Sequence, residues 1–112
     1  MEITITQRDQ ARVLVVEGSV DTLSAEKLKN ALEEQIEQGQ IRLVADFSGV
    51  DYISSAGLRA LLGPLKEIRQ QGGELFLAAV EKEVERVLKL SGFTKILTVC
   101  QDVESALVAV GP

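Results

Sequence analysis

Three apolar residues in a row, Leu43, Val44 and Ala45 in the stretch IRLVADF, place the tightest constraint on this chain. Side chains on a strand point alternately to opposite faces. A short, β-rich run without a polar break therefore needs apolar cover above and below, as in the middle of a sheet sandwiched by helices. The surrounding sequence supplies that cover. Leu28, Leu32 and Ile36 recur every four residues with Ala25 and Ala31 beside them, and Glu, Lys, Asn and Gln fill the gaps. This spacing predicts an amphipathic helix that starts at a Ser24 cap and stops at Gly39.

The remaining elements follow from the same two periodicities. EITITQ alternates Ile3 and Ile5 with polar neighbours, and RVLVVEG follows after a short connection at Asp9 and Gln10, which predicts an antiparallel hairpin. Leu58, Leu61, Leu62, Leu65 and Ile68 mark a second helix, ended by Gly72 and Gly73, in which Gly63 and Pro64 predict a bend or a weak middle. ELFLAAV reads as a strand, and KEVERVLKLSGF as a helix with Val84, Val87 and Leu88 on one face and a stop at Gly92. KILTV reads as a last strand, and VESALVAV as a closing helix with Val103, Ala106, Leu107 and Val110 inward. The order β-β-α-β-α-β-α-β-α gives an α/β class with a mixed sheet and helices packed on it. At 112 residues, 46% apolar against 26% charged, the chain has the length and composition for one domain over residues 1–112.

Composition also removes whole classes of function. A net charge of −5 repels phosphate backbones and anionic headgroups, so neither nucleic acid nor a membrane surface is an expected partner. No apolar run approaches the roughly 20 residues that span a bilayer, and MEITITQRDQ lacks the basic start and apolar stretch of a signal peptide, so the cytoplasm is the expected location. Histidine is absent, which rules out a Ser-His-Asp triad and any imidazole acid/base mechanism. Lys66 lies about three helical turns beyond the nearest serines, too far to act as their base. No Cys/His cluster, calcium loop or phosphate-binding glycine pattern is present, so no metal or cofactor and no enzymatic activity is expected. The lone Cys100, in KILTVC, reads as a packed hydrophobe.

Chemistry concentrates instead in ISSAGLR, residues 53–59. Serine is a preferred N-cap, and a cap needs only one. With Ser54 as the cap, Ser55 becomes the first helical residue, its hydroxyl at the positive end of the helix dipole, where a phosphate is electrostatically tolerated. Ala56 and Gly57 keep the surroundings small enough for another protein to approach the backbone. Asp46 reads as the carboxyl end of the central strand, the edge where α/β sheets carry their sites, and Asp21 precedes the first helix. Each of the two acids also fits a turn-forming role, and the serine pair fits either simple capping or modification.

The stretch DFSGVDYISSAGLRALL, Asp46 to Leu62, resembles the signature of the STAS domain of bacterial anti-sigma factor antagonists, and GSVDTLSAEKL, Gly18 to Leu28, is similar to that family's other recurrent motif. The resemblance extends over essentially the whole chain. It implies a non-enzymatic binding module whose partner is an anti-sigma factor that is also a serine kinase. The unphosphorylated form would bind that partner and free the sigma factor, phosphorylation at Ser55 would switch binding off, and a PP2C-type phosphatase would reset it. By position, Asp21 and Asp46 match the acidic residues flanking the phosphosite, with Ser54, Ala56, Gly57 and Arg59 completing the site. Many members carry Asp immediately before the acceptor; here Ser54 stands there and is the alternative acceptor. The free chain is expected to be a monomer. Two other readings stay open: an interaction subunit of a transport system or signalling scaffold in which Ser55 takes no phosphate, and a nucleotide sensor using the helix mouth as an anion site.

Overall fold

A computed structural model describes residues 1–111. The strands are β1 (Glu2–Arg8), β2 (Ala11–Val20), β3 (Arg42–Ile53), β4 (Glu74–Ala78) and β5 (Val99–Cys100); the helices are α1 (Ala25–Glu37), α2 (Ser55–Gln70), α3 (Lys82–Leu90) and α4 (Val103–Val110). The five strands lie in sequence order, β1 antiparallel to β2 and every later neighbour parallel. Parallel crossovers are right-handed. When each one steps the same way across the sheet, the crossover helices must all fall on one face. The core obeys this rule, since Leu28, Leu32, Leu58, Leu61, Leu65, Val84 and Leu88 of α1, α2 and α3 pack with Leu14, Leu43, Ala45 and Phe47. The other face is covered by α4, whose Ala106 and Val110 meet Val13, Val44, Phe76 and Ala78. Leu43, Val44 and Ala45 are fully buried, so the apolar run sits at the sheet centre with cover on both sides.

Three expectations need correction. The central strand does not end at Asp46 but continues to Ile53, because β3 keeps pairing with β2 after its pairing with β4 stops at Asp46. The pairing survives by inserting extra residues in β3 between Asp46 and Gly49 and between Val50 and Tyr52. Bulges of this kind bend a strand and break its alternation, which hides the extension from a period-2 reading. KILTV is not a strand through its length. Phe93–Lys95 form a 3₁₀ turn and only Val99 and Cys100 pair with β4. Finally, Gly63 and Pro64 do not interrupt α2, which runs unbroken from Ser55 to Gln70. Pro64 is buried on the packed face, so tertiary burial retains a residue that disfavours an isolated helix.

Partly buried Cys100 packs against the α4-side core, and that burial, with Asp102 nearby, pushes its thiol pKa up, which disfavours the reactive thiolate. Two glycines carry opposite constraints. A Cβ at Gly73 would stand 2.2 Å from the Ile41 carbonyl oxygen, whereas one at Gly63 would meet nothing within 4 Å. Gly63→Ala is therefore expected to raise stability by about 0.5–1 kcal/mol through helix propensity. Gly73→Ala should lower stability, by about 1–3 kcal/mol, because backbone must move. Urea denaturation of the two variants beside the parent checks both signs.

Candidate functional site

At the carboxyl ends of β2 and β3 the chain turns twice, into α1 and into α2, and the two turns are tied together. The Ser54 N–H donates to the Val20 carbonyl at 2.9 Å, extending the parallel pairing by one step and bringing the mouth of α2 beside the start of the α1 turn. Ser54 is the N-cap of α2: its backbone is extended, and its Oγ accepts from the Gly57 N–H at 3.1 Å. Ser55 opens the helix with its side chain exposed, and its hydroxyl has no hydrogen-bond partner among the described residues. The two serines thus have different jobs. One hydroxyl is committed to the backbone and the other is free.

Gly57 acts differently from the expectation. It is buried, and a Cβ there would lie 2.8 Å from both Ile53 Cγ1 and Val20 Cγ1 and 3.0 Å from the Val20 carbonyl oxygen. Its smallness serves internal packing of the first turn of α2 against the ends of β2 and β3. Ala56 is half-buried and Arg59 exposed, with no ion pair for Arg59 among the described residues.

The two acids also separate. Asp21 adjoins Val20 and therefore stands next to the serines, and it does more than flank them. Its Oδ1 accepts from the Ser24 N–H at 2.9 Å while the Ser24 Oγ accepts from the Asp21 N–H at 2.9 Å, and the Asp21 carbonyl accepts from Ala25. This is a reciprocal capping box. Ser24, expected to cap α1 alone, makes no side-chain cap bond to the helix beyond it and instead closes the box begun by Asp21. Hydrogen bonds from the Ser24 backbone and side chain hold the Asp21 carboxyl below its ordinary range.

Asp46, by contrast, does not flank the serines. Seven strand residues, Phe47–Ile53, intervene; the two bulges match the stretch from Asp46 to Ile53 to five steps of β2, Val15 to Val20, and at about 3.3 Å per step this places Asp46 roughly 15–20 Å back along β3. Strand alternation also puts it on the Val44 side, toward α4 and away from α2. Its Oδ1 accepts from the Ser48 N–H at 2.9 Å, so its work is to shape the first bulge.

Residues that the sequence reading passed over complete the surface. The Ser19 Oγ donates to Asp51 Oδ1 at 2.8 Å, tying the ends of β2 and β3 together and setting a second carboxylate three residues before Ser54. Leu23 is 91% exposed and Tyr52 53% exposed. An apolar residue in the middle of the Asp21–Ser24 turn, and an aromatic on a strand end, were the available signals. None of the five cavities described in the structure is lined by Ser54 or Ser55. Two exposed apolar side chains, a free hydroxyl and two carboxylates, outside the cavities described, suit contact with another protein better than capture of a small molecule. Among the described residues no group of His, Cys, Asp or Glu could hold a metal, and no helix is long and apolar enough to cross a membrane.

Comparison with known proteins finds chains similar to this one over most of its length. Residues 2–106 match the family model described as STAS domain. The chain is 38% identical over 109 residues to BtrV of Bordetella bronchiseptica, covering 97% of this chain and 94% of that one. It is 33% identical to the anti-sigma-B factor antagonist of Listeria monocytogenes, covering 88% of each. Among solved structures, the Bacillus anti-sigma factor antagonist SpoIIAA shares the fold in its unphosphorylated form, with a TM-score of 0.74, 16% identity and 96% of both chains covered. Its phosphorylated form superposes equally, at 0.73, with 19% identity and 97% and 99% covered.

Acidification tests the capping box. A carboxyl with a depressed native pKa contributes stability that is present above its unfolded value, about 3.9, and that is lost as pH falls through the lowered native value. Carboxyl-detected NMR is expected to show Asp21 titrating below the ordinary aspartate range, with the Ser24 amide signal moving in step, and Asp21→Asn removing both. Gly57→Ala is expected to cost about 1–3 kcal/mol by overpacking, read by denaturation.

Proposed function

The chain belongs to the STAS domain family and, within it, to the anti-sigma factor antagonists, regulatory proteins that are not enzymes; from that membership we propose that phosphorylation of Ser55 controls its binding to an anti-sigma factor. In this reading the unphosphorylated chain binds an anti-sigma factor that is also a serine kinase, in the cytoplasm, and releases the sigma factor. The kinase modifies Ser55 and a PP2C-type phosphatase restores it. The observation that carries the assignment to Ser55 is the division of labour between the serines, since Ser55 is exposed and uncommitted while Ser54 is spent on Gly57 N–H.

Electrostatics supports an interface switch. A phosphoserine adds about −1.5 to −2 charge at neutral pH, next to Asp21 and on the same sheet end as Asp51. The N-terminal dipole of α2 tolerates that charge in the free chain, where water also screens it. In a complex the same group is stripped of water. An unpaired charge buried in this way costs roughly 3–5 kcal/mol, so binding weakens about a hundred- to a thousandfold. Leu23 and Tyr52, exposed beside the hydroxyl, are the apolar anchors expected to fill the middle of the contact.

Incubation with the cognate kinase and ATP, followed by intact-mass measurement, is expected to add one phosphate to the parent and to Ser54→Ala, and none to Ser55→Ala. Ser54→Ala alone is expected to lose about 1 kcal/mol of stability as a cap. Ser55→Asp should weaken partner binding in calorimetry by at least tenfold. Phosphate retained on Ser55→Ala, or partner affinity unchanged by Ser55→Asp, refutes the assignment.

A further inference from the structure

Among the described residues the outer edge of β1 is unpaired. Its seven residues, Glu2–Arg8, bond to β2 on one side only, as the first strand of the sheet. Natural edges are blunted by proline, a bulge or an inward charge, but β1 pairs with β2 residue for residue without a register shift and has ITIT at its centre. Beneath this edge runs a groove between β1 and α1, lined by Ile3, Ile5, Lys27, Asn30, Ala31 and Glu34. Ile5 faces it and is still 40% exposed, because nothing among the described residues covers the outer side.

We propose that the occupant of this edge is a second copy of the chain, pairing β1 with β1 antiparallel about a two-fold axis through Ile5. The sequence of the strand selects both occupant and register. A two-fold axis perpendicular to the sheet pairs residues whose numbers have a constant even sum, and centring it on Ile5 uses the whole strand. Thr4 then stands opposite Thr6 of the other copy, Ile3 opposite Gln7, and Glu2 opposite Arg8, twice over. Shifting the register by one pairing step either way removes both opposite-charge pairs. Arg8 is already engaged by Glu104, at 2.6 and 3.0 Å, but through Nη2 alone. Its Nη1 and Nε remain for an incoming Glu2 carboxylate. The same axis keeps both α1 helices on one face, so that the two Ile5 side chains meet beneath them and close the groove from each side.

A seven-residue edge buries far less than the roughly 1,600 Å² of a standard interface, so the association is weak and concentration-dependent. It departs from the monomer expected of the free chain.

Charge reversal tests the register against general electrostatics. Glu2→Arg sets arginine opposite arginine and is expected to weaken self-association about tenfold, although it makes an acidic chain of net charge −5 less acidic and less self-repelling. Arg8→Glu sets glutamate opposite glutamate and should also lose self-association. In an equal mixture of the two variants, the arginine introduced in one copy faces the glutamate introduced in the other, and the retained Arg8 of the first faces the retained Glu2 of the second. That mixture is expected to recover parental affinity within about threefold. Sedimentation equilibrium from micromolar to millimolar concentration reads all four samples, with circular dichroism confirming that each variant is folded. Concentration-dependent protection of β1 amides in hydrogen exchange is the companion readout. A parent that stays at 12.1 kDa throughout, a Glu2→Arg variant that associates as well as the parent, or a mixture no tighter than either variant alone overturns the proposal.

Discussion

One close approach organises the candidate site, namely the seating of the first turn of α2 on the end of β2. The Ser54 N–H reaches the Val20 carbonyl, and Gly57 lets Val20 and Ile53 pack where a side chain would otherwise stand. Two turns that are distant in sequence are thereby fixed side by side. The Asp21–Ser24 box starts α1, the Ser54 cap starts α2, and the hydroxyl of Ser55 is left exposed at the start of α2. The position of that hydroxyl is set by backbone contacts and packing, so substitutions at the exposed residues around it can change recognition without moving it.

Much of the architecture was legible because it follows from strong periodicity. The amphipathic stripe through Leu28, Leu32 and Ile36, the uninterrupted Leu43–Ala45 run and the inward set of α4 all report burial directly, and burial is what periodicity encodes. The failures share a cause as well. β3 past Asp46 is held by pairing with β2 and by bulges, so its local sequence, FSGVDYI, carries turn residues inside a strand. KILTV has strand composition but too little sheet left to pair with, since β5 sits at the far edge beyond β4. Pro64 looks like a break in isolation and is kept by the core that α2 packs against.

Within the site, capping is local chemistry, so the sequence narrowed the cap to one of two adjacent serines while leaving Ser54 open as the alternative acceptor. A cap requires one oxygen at a fixed offset from the N–H groups of the first turn, and the bond that Ser54 Oγ accepts from the Gly57 N–H is what assigns Ser54 and frees Ser55. The acids could not be ordered in this way. Asp21 and Asp46 are equally plausible turn formers by type, and only tertiary pairing tells them apart: Val20 carries Asp21 to the serines, while the length of β3 carries Asp46 away. Asp51 and Ser19 were missed because their bond joins residues 32 positions apart.

In the proposed switch, the fold itself has little to do once Ser55 is modified. The hydroxyl stands on a helix whose first turn is capped, buried at Gly57 and continuous for 16 residues, so a new charge has no weak element nearby to melt. The N-terminal dipole and Arg59, unpaired among the described residues and one turn further on, also favour an anion there, whereas Asp21 and Asp51 oppose it. In water these opposing contributions are each of the order of 1 kcal/mol or less, and the free protein can absorb either sign of their sum. The balance changes only where water is removed. A switch built in this way needs no second conformation, because the difference between its two states lies in the cost of desolvating one side chain against a partner.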